Sequence, residues 1–174
     1  MAIATDTAKI TIVPSAAHLR LRSASEDDEP FLRGLFDATR SQLAQAGLPV
    51  PMLEMLLAQQ FQLQRSSYKT RYPDAVSLIM TNGECPIGRL LLWCGDQSWH
   101  IVDIAVLPHH RRQGAGTAVM QGVETAARGR NVAALTLAVM AENLDARRFY
   151  AGSGFIEPPA AASAYLALVK RLDD

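Results

Sequence analysis

The stretch that most restricts what this chain can become is residues 104–117, IAVLPHHRRQGAGT, in which a β-branched run ends at Pro108 and passes through Arg111, Gly114 and Gly116 into a helix start. A strand that turns through glycine into a helix gathers unpaired amide donors and the positive end of the helix dipole at one point. Glycine also lets the main chain approach a ligand closely. Such a turn suits an oxyanion, a pyrophosphate above all. Two better-known phosphate loops do not fit. No lysine follows Gly116 as a Walker loop requires, and Val119 stands where a dinucleotide fingerprint has its third glycine.

The rest of the composition narrows the setting. A chain of 174 residues, 49% hydrophobic and 20% charged, fits one globular domain over 1–174 with a core that needs no staples. Seventeen Lys and Arg balance seventeen Asp and Glu, so no global field draws nucleic acid or an anionic membrane. An anion site must be local. Cys85 and Cys94 share one apolar segment without metal-ligand spacing, which reads as buried free thiols and no metal site. Residues 1–17 hold no continuous apolar stretch and read as an irregular segment. No run approaches the ~20 apolar residues of a membrane span. A soluble cytoplasmic protein is expected.

Periodicity gives the order of elements. Residues 19–22 alternate as a strand, and acids before Pro30 open a helix over 30–45 with Phe31, Leu32, Leu35, Phe36 and Leu43 at helical spacing. A second helix begins near Pro51 and stops at Tyr72-Pro73-Asp74. Strands over 75–81 and 87–94 flank the hairpin turn Asn82-Gly83, and a third over 99–107 runs into the glycine loop. A helix then ends at Arg128-Gly129 in a left-handed cap. A buried strand over 132–139, a helix from Asn143 to Gly152, and a final strand pair, Phe155-Ile156 and 164–170, complete the chain. The order β-α-α-β-β-β-α-β-α-β-β is an α+β layout: a mixed, twisted sheet of about seven strands with about four helices.

Val106-x-Pro108-x-x-Arg111-x-x-Gly114-x-Gly116, followed by Asn143-x-x-Ala146-x-x-x-Tyr150-x-x-x-Gly154-Phe155, resembles the GNAT superfamily of N-acetyltransferases. The first motif is similar to that family's acetyl-CoA pyrophosphate signature and the second to its later cofactor and catalytic helix. The resemblance covers residues 19–171 in topology and 99–155 in residues. It implies acetyl-CoA as cosubstrate.

Acyl transfer from a thioester to an amine requires a bound acyl donor, a neutral amine, a polarised carbonyl and a protonated leaving sulfur. For the donor, amides of Arg112, Gln113, Gly114, Ala115, Gly116 and Thr117 are the candidate pyrophosphate cradle, with the Thr117 hydroxyl and the charges of Arg111 and Arg112 beside them. Arg112 occupies a position where the family usually has glycine. The resemblance assigns the main chain of Ile104 and Val106 to the pantetheine arm and thioester carbonyl, on a strand that commonly splays or bulges. Asn143 caps its helix, with or without a cofactor contact. The resemblance makes Tyr150 the general acid, since a phenol of pKa about 10 keeps its proton at neutral pH.

The base stays open between Asp103, His100 and water. In a regular strand Asp103 and His100 face opposite sides, and a bulge alters that parity. Gln60, Gln64 and Tyr68, four residues apart, share one face of the second helix and are candidates for an acceptor pocket. The expected reaction is direct attack by a small-molecule primary amine in a ternary complex, since no cysteine accompanies the site. A protein or peptide N-acetyltransferase and a non-catalytic CoA-binding module are the alternatives. The apolar strand over 165–169 is a candidate homodimer edge.

Overall fold

Gly83, held at a φ of +57°, closes a hairpin that sets the register for the first half of the molecule. The computed structural model describes residues 10–40, 43, 45, 47–159 and 163–172. Its strands are β1 (Leu19–Ser23), β2 (Val76–Asn82), β3 (Cys85–Cys94), β4 (Ser98–Val106), β5 (Ala134–Met140) and β6 (Tyr165–Arg171). Its longer helices are α1 (Glu29–Ala38), α2 (Val50–Arg71), α3 (Ala115–Arg128) and α4 (Leu144–Gly152). The strands lie side by side in chain order in one sheet, and every neighbouring pair is antiparallel except β4 and β5. Parallel neighbours need a crossover, which α3 supplies.

One sheet face and the inward stripes of α3 and α4 form the main core. Trp99, Ile101, Leu90, Leu92, Leu135 and Leu137 meet Val119, Val123 and Tyr150 there. The opposite parity of the same strands, Ile79 and Leu91, is buried with Leu35 and Phe36 of α1 and Phe61 of α2. Phe36 and Phe61 meet edge to face, with centroids 5.3 Å apart. Residues 10–17 form no helix or strand but cross α3, where Ile12 is buried and the Ser15 amide donates to the Ala118 carbonyl at 3.0 Å. No helix among the described residues is long and apolar enough to cross a membrane.

Several expectations change in detail. The seventh strand is a single bridge, Ile156 to Val169, because Pro158 and Pro159 follow at once, lack amide donors and restrict the residue before them. The first helix ends at Ala38 rather than near residue 45; residues 41, 42 and 44 of the expected range lie outside the described residues. Gly129 stays right-handed at a φ of −62°, and Asn131 takes the left-handed turn at +56° while the Val132 amide donates back to the Ala127 carbonyl. Cys94 is buried as expected and burial pushes its thiol up to about 12, whereas Cys85, first in β3 after the tight turn, is exposed.

Candidate active site

The site is built on an irregularity in β4. Its register against β3 runs His100 to Trp93 and Ile101 to Leu92, then Asp103 to Leu91, which leaves Val102 without a partner. One extra residue reverses the facing of everything beyond it. Trp99 and Ile101 before the bulge, and Ile104 and Val106 after it, therefore all address the main core. His100, Asp103 and Ala105 share the other face. The bulge thus unites two residues that a regular strand separates.

On its other edge β4 pairs with β5 only from Ser98 and Ala134 to Ile101 and Leu137. Past that point the strands part, and the β5-facing main chain of residues 102–106, Ile104 and Val106 included, is free of ladder bonds to β5. This is the predicted splay. Arg111 ties the loop to it, its Nε donating to the Val106 carbonyl at 2.9 Å.

The loop then alternates handedness, with Arg112 at a φ of +59° and Gly114 at +82°. The Gln113 side chain donates to the His109 carbonyl at 2.8 Å and holds the turn closed. No amide from residue 112 to 117 donates a hydrogen bond to another described residue, and Gly114 caps α3 without side-chain help. A run of unpaired amides in alternating conformations forms an anion-binding concavity, reinforced by the helix N-terminus. The glycines divide the work. Gly114 supplies the left-handed turn, and Gly116 admits α4, since a Cβ there would lie 3.2 Å from Cζ of Phe149. Thr117 is exposed in the same turn and begins a groove of about 560 Å³ that runs between α3 and α4 past Gln121, Arg148 and Phe149.

Asn143 caps α4, its side-chain oxygen accepting from the Ala146 amide at 3.1 Å. That orients the helix so that Tyr150 packs its ring against Phe149 and Phe155, with centroids 5.2 and 5.8 Å away. The phenol makes no hydrogen bond to a described residue. No side-chain polar atom among the described residues is both buried and unpartnered, so its oxygen opens onto accessible space. Burial, then the Asp103 carboxylate and Tyr68, push the phenol well above its usual value. Asp103 and Tyr68 belong to the opposite sheet face.

Asp103 is not alone on that face. Arg89 of β3 donates through Nε at 3.1 Å and also through Nη2 to a single oxygen, Oδ2, which leaves Oδ1 without a partner among the described residues. The same guanidinium lies 5.9 Å from the Tyr68 ring centroid. Burial and Asp103 push the Tyr68 phenol up to about 12. Gln60, Gln64 and Tyr68 are each half-buried on the inner face of α2, as their spacing requires. His100 stacks on Tyr72 at 5.2 Å, and its Nδ1 lies 2.8 Å from Oγ1 of Thr136. Burial, then Arg71, lower its pKa and keep the ring neutral at pH 7. A Thr136 hydroxyl that donates to the Trp99 carbonyl, 3.4 Å away, accepts from Nδ1–H, the tautomer that leaves the Nε2 lone pair free.

The structure therefore gathers Asp103, Tyr150, Ile104, Val106 and the loop around one gap, and sets Asn143 at the helix that aims Tyr150. Sequence reasoning missed Arg89 and Arg40, which with Asp103, Phe36 and Gln64 line a small cavity of about 40 Å³. A signal for Arg89 existed: it is a lone cation in the apolar run Ile87-Gly88-Arg89-Leu90, one hairpin from a lone acid in Ile101-Val102-Asp103-Ile104. Among the described residues no three His, Cys, Asp or Glu side chains converge as metal ligands.

Comparison with known proteins agrees with this geometry. A comparison with curated proteins finds none that matches this sequence. Solved structures with the same fold include the N-acetyltransferase PaiA from Thermoplasma acidophilum in complex with coenzyme A, at a TM-score of 0.68 and 14% identity over 88% of this chain and 98% of that one. An acetyltransferase from Thermus thermophilus superposes with a TM-score of 0.64 at 22% identity, covering 91% of this chain and 99% of that one. The ribosomal-protein-S18-alanine N-acetyltransferase from Escherichia coli gives 0.61 at 18% identity, covering 88% and 94%. The sequence profile of the acetyltransferase (GNAT) family matches residues 42–155, from the approach to α2 through the cradle loop to the end of α4, and the chain belongs to that family.

Proposed function

We propose that this protein transfers an acetyl group from acetyl-CoA to the primary amine of a small molecule, by direct attack in a ternary complex. The observation that carries the reading is a pair of main-chain stretches, the edge of residues 102–106 free of ladder bonds to β5 and the amides of residues 112–117 unpaired among the described residues, joined by a hydrogen-bonded turn over residues 107–111. A pyrophosphate fits the second part, and an extended amide-bearing arm fits the first as a strand would. When bound, acetyl-CoA supplies the acetyl group as a reactive thioester.

The chain's residues do the rest. Main-chain amides in the residue 102–106 stretch polarise the carbonyl. Asp103 Oδ1, His100 Nε2 or a water between them accepts the proton that the amine loses as its nitrogen forms the new C–N bond. Tyr150 hydrogen-bonds the sulfur as the C–S bond breaks and hands it the proton. Because its phenol lies above 10 and an ordinary thiol near 8.5, complete transfer is uphill by about 2 kcal/mol or more, so the proton moves late, once charge has built on sulfur. The small cavity under α1 and α2 supports a compact acceptor rather than a polypeptide.

The deciding experiment is thiol release from acetyl-CoA against a panel of amines, with CoA binding measured in parallel. Turnover with at least one small amine is expected. CoA binding without turnover on any amine, peptides included, refutes the enzymatic reading.

A further inference from the structure

The cavity beside Asp103 has a charge imbalance. Arg33 is engaged by Asp37, which it contacts through Nε at 3.0 and 3.1 Å, and Arg89 is engaged by Asp103. Arg65 of α2 pairs with Glu29 at 2.6 Å. The guanidinium of Arg40, one turn past Asp37, makes no ion pair and no hydrogen bond to a described residue, although its main-chain amide donates to the Asp37 carbonyl at 3.1 Å. Its guanidinium lies over the Phe36 ring, 3.5 Å from the centroid, a position that fixes its direction. The other groups acting on it are Gln64 and Tyr68 from α2, Arg89 from β3, Asp103 from β4 and Asp37 of its own helix, which lies outside the lining and is engaged by Arg33, so among the described residues the lining holds two guanidiniums against one carboxylate. Burial pushes the Arg40 pKa down, while the Asp103 charge pushes it up. An anion that entered would relieve that burial penalty. The cavity, about 40 Å³, admits about three water-sized groups, which is the size of a carboxylate and smaller than a ring.

We infer that the acceptor amine carries a carboxylate, which Arg40 binds on its Phe36 platform while the amine reaches the gap between β4 and β5. The acceptor class is thus amino-acid-like. A polycationic amine would meet two guanidiniums and be repelled. The inference rests on the acetyltransferase reading for its amine and, for its acid, on the Arg40 guanidinium, which is unpaired among the described residues.

The test compares matched pairs, free amino acids and their carboxamides, as acceptors for the wild type, Arg40→Gln and Arg40→Lys, with melting curves to verify folding. Calorimetry of N-acetyl amino acids and N-acetyl amino acid amides, at saturating CoA, gives a readout independent of turnover. The acids are expected to exceed the amides in kcat/KM by about 10- to 100-fold, the range of a charged hydrogen-bonding pair. Arg40→Gln abolishes that preference through KM for the acceptor, leaves KM for acetyl-CoA unchanged, and Arg40→Lys restores part of it. Should Arg40→Gln not fold, the wild-type preference and Arg40→Lys still decide. Amides used as well as acids by the wild type overturn the carboxylate site and leave the acetyltransferase reading standing. Absent turnover with Arg40-dependent binding of N-acetyl amino acids does the reverse. Absent turnover and absent binding overturn both.

Discussion

Gly114 offers the sharpest probe of the cradle, because a Cβ there meets nothing within 4 Å and only the backbone is strained, at a φ of +82°. Gly114→Ala therefore tests conformation without a clash. An L-residue held in the left-handed region carries a penalty of about 1–2 kcal/mol. The reduced freedom of the unfolded alanine chain offsets about 0.4–1 kcal/mol of it. The net, about 1 kcal/mol, has only two places to appear. If the unliganded variant keeps the native turn, denaturant unfolding loses about 1 kcal/mol and CoA affinity is unchanged. If the turn relaxes, stability rises by the unfolded-chain contribution and binding must restore the full strain of about 1–2 kcal/mol, so Kd for CoA rises about 5- to 30-fold, since about 1.4 kcal/mol is tenfold. The two changes sum to the same figure in either case. Urea titration and calorimetry on one preparation give both. A variant with wild-type stability and wild-type affinity refutes the role assigned to the left-handed turn.

Other substitutions follow from the same geometry. Tyr150→Phe removes a hydroxyl with no hydrogen bond to the described residues, so stability should stay within about 0.5 kcal/mol while kcat falls about 100-fold and KM for acetyl-CoA holds; an unchanged kcat removes Tyr150 from the proton's path. Arg112, at a φ of +59°, occupies a left-handed position with a side chain, and Arg112→Gly should leave unfolding free energy equal or higher by up to about 1 kcal/mol. A weaker, less salt-sensitive CoA affinity in that variant would show the guanidinium reaching a phosphate; equal salt slopes would show the backbone acting alone. For His100, burial sets the folded pKa below the unfolded 6.5. As pH falls through 6.5 the unfolded ring takes up a proton that the folded ring refuses, so the unfolded state binds more protons and stability declines with acid. His100→Asn should flatten the fall in urea midpoint between about pH 6.5 and pH 5. An unaltered slope assigns that fall to other groups.

Much of this molecule is written locally. Asn82-Gly83 dictates its hairpin, Pro30 its helix start and Asn143 its cap, because each acts on backbone within four residues of itself. The glycine loop was legible for the same reason. What was not legible depends on register. Whether His100 and Asp103 face one side or two turns on Val102 dropping out of the β3 ladder, and no residue type marks that event. The partner of Asp103 depends on it too, since Arg89 lies across from Ala105 only once the bulge has shifted the strand. Arg40 lies farther out of reach. Its place follows from how α1 packs Phe36 against Phe61, a tertiary contact that helical periodicity makes possible without selecting it.

The seam between β4 and β5 is four residue pairs long, whereas the β3–β4 and β5–β6 ladders beside it each carry seven. Mechanically this is a zipper fastened at one end. Each half keeps its own long antiparallel ladders, so thermal opening should run along the short parallel joint before it disturbs either half, and amide exchange at residues 98–101 should outpace that at residues 90–92. An extended molecule laid into the open end lengthens the joint by the rungs that the protein lacks. The acyl donor would then act as a structural member that couples two sub-sheets, and cooperativity of unfolding would rise with its concentration.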